Sequence, residues 1–91
     1  MLDDLKAAIR SGDKDKTREL LASLQEEISL GHSDLIAEIT TPAVITELHS
    51  LLNENLGVPP RAMMVKGRVT SRRSRAALFC KAIRSGVERV S

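Results

Sequence analysis

A chain of 91 residues with Phe79 as its sole aromatic, and no Trp or Tyr, allows one small domain with a core of aliphatic side chains. Its net charge of +2 conceals a division: residues 1–58 hold eleven acids against five cations, and residues 59–91 hold nine cations against Glu88 alone. The single cysteine excludes an intramolecular disulfide, and no apolar run reaches the ~20 residues that cross a bilayer, so a soluble protein in the reducing cytoplasm, with no membrane partner, is expected.

Leu2, Leu5 and Ile9 at helical spacing predict a first helix over residues 2–10, with Gly12 beyond its end. Asp13 is placed to cap a second helix from about Lys14 to Leu30, whose apolar stripe is Leu20, Leu21, Leu24 and Ile28. Leu35 prolongs the seven-residue spacing of Leu21 and Ile28, but Gly31 predicts a break and a short helix from Asp34 to Ile39 capped by Ser33. Thr41-Pro42 marks a restart, with Thr as N-cap and Pro at the first helical position. The helix from Pro42 to Leu56 has a broad apolar face of Val44, Ile45, Leu48, Leu51, Leu52 and Leu56 and ends at Gly57. Val58-Pro59-Pro60 forms an elbow where the charge changes sign, and Met63-Met64 beyond it offers adaptable apolar surface. A last helix is expected from Thr70 or Ser71 to Arg84 or Ser85, with Ala76, Phe79, Cys80 and Ile83 on one side. Val87 and Val90 continue that spacing past Gly86.

The motif Ala-Ile-Arg-Ser-Gly occurs at residues 8–12 and 82–86, and both copies read as a helix end closed by glycine. No period-two alternation marks a strand. These elements define an all-α bundle of four to five helices, completed by homodimerisation through residues 14–56. Residues 1–58 would form an acidic helical core and oligomerisation region, and residues 59–91 a basic segment packing on the same domain.

Catalytic groups are scarce. His32 falls in a Gly-His-Ser turn, His49 flanks the apolar stripe of its helix, and Cys80 lies on a packing face, where a thiol behaves as a small inert group. Glu26 and Glu27 are adjacent on a helix and point about 100° apart, which does not suit a paired-acid site. Neither an enzyme, a metal site nor a cofactor is expected.

The basic third carries the functional signal. Seven of its nine cations are arginines, whose planar forks match phosphate oxygens two at a time. Arg72, Arg73, Arg75, Lys81 and Arg84 are the expected primary contacts to nucleic acid, with Arg61, Lys66 and Arg68 secondary. Arginines in the first turn of a helix oppose its macrodipole, a penalty that phosphate oxygens nearby would reverse. With one aromatic in the chain, base stacking on single strands is disfavoured, and the backbone of duplex RNA or DNA is the expected ligand. The alternative is a protein–protein adaptor whose basic helix, anchored by Leu78, Phe79 and Ile83, docks on an acidic partner.

His49–Lys66 resembles the helix-turn-helix of bacterial and phage regulators, with Leu52 before the turn, Leu56-Gly57-Val58 at it, and Pro60–Lys66 as the second helix. It departs from that pattern at Asn53, where a small residue is usual, and at Lys66, where an apolar one is. The expected role is that of a regulatory factor or a viral or phage accessory factor.

Overall fold

Glycines with positive φ stop three helices: Gly12, Gly31 and Gly57 follow the first, second and fourth, at φ of 74°, 82° and 70°. The computed structural model describes residues 2–63 and 71–90. Within them lie α1 (Leu2–Arg10), α2 (Lys14–Ser29), α3 (Ser33–Ile39), α4 (Pro42–Leu56), a 3₁₀ turn (Pro60–Met63) and α5 (Arg72–Arg89), with no strand among the described residues.

Capping chemistry sets the starts unevenly. Asp13 caps α2 by accepting a hydrogen bond from the Lys16 amide at 3.0 Å, and Ser71 caps α5 by accepting from the Ser74 amide at 3.1 Å. The two middle caps differ from the sequence expectation. Ser33 is the first residue of α3, and His32 before it makes no side-chain cap. Thr41 occupies the N-cap of α4, but its hydroxyl donates backwards to the Ala37 carbonyl at 3.0 Å and leaves the new helix uncapped. Pro42 lowers the need for a cap there, because it has no N–H to satisfy.

The core forms where the apolar stripes converge. Leu2, Leu5 and Ile9 of α1 meet Leu21, Leu24 and Ile28 of α2, and Leu48 and Leu52 of α4 close one side. Each fully buried side chain of this size contributes roughly 1.5–3 kcal/mol relative to exposure. The rest of the α4 stripe is half-buried: Val44, Ile45, Leu51 and Leu56 pack on the rim of the core. Thr17, outside the expected α2 stripe, is also fully buried, and its hydroxyl is satisfied by donating to the Asp13 carbonyl at 2.8 Å. The main interface is α2 against α5; α1 packs on α2 and α4, while α3 lies against α2, α4 and α5. The chain turns 65° between α3 and α4. Among the described residues, no single helix is long and apolar enough to cross a membrane.

The last helix departs most from its sequence pattern. It does not end at Arg84 or Ser85 but runs through Gly86 to Arg89. Gly86 is a packing residue rather than a stop: its missing side chain admits Val58 and the 3₁₀ turn, with Met63 fully buried beside them. Met63 is therefore core and not adaptable surface. Phe79 and Ile83 are likewise buried inside this chain, which removes them as anchors for a partner's groove and leaves Leu78 exposed at 37%. Only Pro60–Met63 of the second helix implied by the helix-turn-helix resemblance is described, and it is a single 3₁₀ turn; Met64, Lys66 and the residues up to 70 lie outside the described residues. Asn53, the departure from that motif, donates from its side-chain amide to the Val58 carbonyl at 3.0 Å and so closes the turn after α4.

Candidate nucleic-acid interface

Seven tail cations are described, and all are exposed: Arg61 on the 3₁₀ turn, Arg72, Arg73 and Arg75 in the first turn of α5, then Lys81, Arg84 and Arg89. Lys66 and Arg68 lie outside the described residues. A helix turns about 100° per residue, so Arg73 and Arg84 fall within about 20° of each other and Lys81 sits about 60–80° further round. Arg75 lies about 160° from Arg73. The α5 cations thus occupy two sides of the helix, with Arg73, Arg84 and Lys81 as the closer group.

Arg73 and Arg84 reach across to α2. The Arg73 guanidinium donates to the Ser29 carbonyl, one of the last four carbonyls of α2, which lack a partner within their helix. The Arg84 Nη1 donates to Gln25 Oε1 at 3.1 Å, and its Nε pairs with Glu88 one turn on, at 3.3 Å. Both acceptors on α2 are neutral. They orient the guanidinium groups without cancelling their charge, and Glu88 is the carboxylate paired with Arg84. Sequence spacing could place these arginines on a helix face, but it could not reveal Gln25 and Ser29 as the groups that hold them.

The acids of the first four helices are occupied elsewhere or exposed. Glu47 accepts from Lys6 at 3.3 Å and lies 3.6 Å from Arg10, joining α1 to α4. Asp15 pairs with Arg18 at 2.7 Å, and Glu27 with His32 at 3.1 Å. Among the described residues, no ion pair joins a tail cation to a carboxylate of α1–α4.

The remaining titratable groups lie in the core or at its edge. Cys80 is fully buried, and burial pushes its thiol up to about 12. His49 is half-buried against Phe79, its Nε2 is buried without a hydrogen-bond partner, and desolvation lowers its pKa. Among the described residues, no three His, Cys, Asp or Glu side chains could hold a metal ion together. One basic residue left out of the sequence-derived site, Arg89, stands beside Arg61 at a cavity of about 530 Å³ lined also by Pro59, Ala62 and Val90. Their proximity is a product of the tertiary fold, since 28 positions separate them. No protein-family model, curated protein or solved structure matches this chain.

Proposed function

We propose that this protein binds duplex nucleic acid, RNA or DNA, chiefly through the phosphate backbone, as a small cytoplasmic regulator or a viral or phage accessory factor without catalytic activity. The observation that carries the reading is the lack, among the described residues, of any ion pair between the tail cations and the acids of α1–α4. Folding leaves this charge available to an outside polyanion. Arg72, Arg73, Arg75, Lys81 and Arg84 are the primary contacts, and Arg61, Lys66 and Arg68 extend the site. The neutral acceptor on Arg73 supports this role, because it fixes direction and leaves charge for a phosphate, while Arg84 is held by neutral Gln25 and by Glu88 in an exposed pair that a phosphate can replace. The protein acts as a homodimer formed through residues 14–56, where the half-buried Val44, Ile45 and Leu51 and the exposed Leu30, at 68%, provide apolar area.

Titration of mixed-sequence duplex DNA and duplex RNA at low and high salt tests the reading. Neutralising about five phosphates gives a log–log slope of roughly −4 to −5 on duplex DNA. No binding at low salt, or binding indifferent to salt, overturns it. Changing Arg72, Arg73 and Arg75 together to Glu should abolish binding while leaving the fold and oligomer intact. Loss of the oligomer instead favours the adaptor reading, in which the basic helix meets an acidic protein surface. Sedimentation across a range of concentrations tests the dimer, which fails if the mass stays that of one chain.

A further inference from the structure

The bonds from Arg73 to Ser29 and from Arg84 to Gln25 identify which side of α2 borders the basic helix. Gln25 and Ser29 lie four residues apart on one flank of α2, and the helical repeat places Lys14 and Arg18 on that same flank, eleven and seven residues before Gln25. Between them stands Ala22, so no acid interrupts the row from Lys14 through Arg18, Ala22 and Gln25 to Ser29. The other helix contributes Arg73 and Arg84, about 16 Å apart along its axis. We infer that the seam between α2 and α5 is the track on which a phosphate backbone lies, and that Arg18 of the acid-rich part belongs to the binding site with Arg73 and Arg84. This inference rests on the nucleic-acid reading above and narrows its contacts to the arginines that flank the seam, since Arg75 lies about 160° from Arg73 on α5.

Three acids border the seam: Asp15, Glu88 and the exposed Glu26, which lies about 40° round α2 from Ala22. Glu88 pairs with Arg84, and Asp15 with Arg18, whose side chain is 44% exposed and whose partner is 87% exposed. Exposed pairs of this kind contribute about 0–1 kcal/mol, so a phosphate can replace the carboxylate at little cost. The seam runs along the principal packing interface of the fold, between α2 and α5.

The test compares two charge-matched double variants of the full chain. One carries Arg18→Glu and Arg84→Glu. The other carries Lys16→Glu and Arg10→Glu, which change net charge equally but lie off the seam: Lys16 is on the opposite flank of α2, and Arg10 is on α1 beside Glu47. The probe is mixed-sequence duplex DNA at two salt concentrations, with helical content checked by circular dichroism. The seam variant is expected to lose at least tenfold in affinity, with a salt slope smaller by about 0.9 for each phosphate contact removed. The off-seam variant is expected to lose no more than a few fold, with its slope preserved. Equal losses in both variants, or a larger loss off the seam, overturn the seam while leaving nucleic-acid binding in place. If the unaltered protein itself fails to bind, both readings fall.

Discussion

Gly86 and Val58 meet at a distance that no other residue type would allow: a Cβ built on Gly86 would stand 2.8 Å from Val58 Cγ1. Val58 is fully buried and β-branched, so its methyl group has little room to retreat. Gly86→Ala gains about 1 kcal/mol of helix propensity in α5, but overpacking a closed contact costs about 1–3 kcal/mol. The contact should decide the sign, and the melting temperature should fall. In a Val58→Ala background the cost of Gly86→Ala should shrink, a coupling that a double-mutant cycle of chemical denaturation measures. A stabilised Gly86→Ala protein would show that the contact relaxes freely.

His49 and Phe79 give the fold a dependence on pH. Their ring centres lie 5.4 Å apart, and desolvation lowers the His49 pKa below its ordinary value of 6.5. The unfolded chain therefore binds the proton more readily than the folded one, and stability rises with pH across the window below about 6.5. Denaturant midpoints should fall as pH drops from about 7.5 to about 5.5, above the range where carboxylates titrate. His49→Gln should flatten that slope. An unchanged slope in the variant would place the pH dependence elsewhere.

Cys80 should be chemically silent in the native state. The thiolate is the reactive form, and burial holds this thiol at about 12. Labelling with an aromatic disulfide reagent should be slow in buffer and complete rapidly in denaturant. Fast labelling of the folded protein would contradict the packing of α5.

Capping separates two positions that look alike in sequence. Asp13→Ala removes the bond to the Lys16 amide and should cost about 1 kcal/mol. Thr41→Ala removes a bond to the Ala37 carbonyl and no cap, so its cost should be smaller. Equal losses by chemical denaturation would mean that Thr41 caps α4 in solution.

The sequence pattern was most legible where local chemistry governs the chain. Asp13, Gly31, Pro42 and Gly57 bracket helices because capping and backbone conformation act within a few residues. The pattern misled at Gly86, whose role depends on Val58, 28 positions away, and at Thr41, whose hydroxyl has a competing carbonyl behind it. Phe79 and Ile83 could be assigned to an apolar face, yet whether that face met its own core or a partner was decided by α2, the 3₁₀ turn and α3. The candidate site shows the same limit. The run of cations from Arg61 to Arg89 was plain from composition, whereas its division between two sides of α5 and the neutral anchors Gln25 and Ser29 needed the packed structure.

The solitary phenyl ring has a spectroscopic consequence. Without Trp or Tyr the chain is nearly dark at the wavelengths used to follow folding, but the ring current of Phe79 falls on the imidazole beside it. The carbon-bound imidazole protons of His49 should resonate away from those of the exposed His32. That displacement would make them a built-in reporter of whether α4 and α5 remain docked.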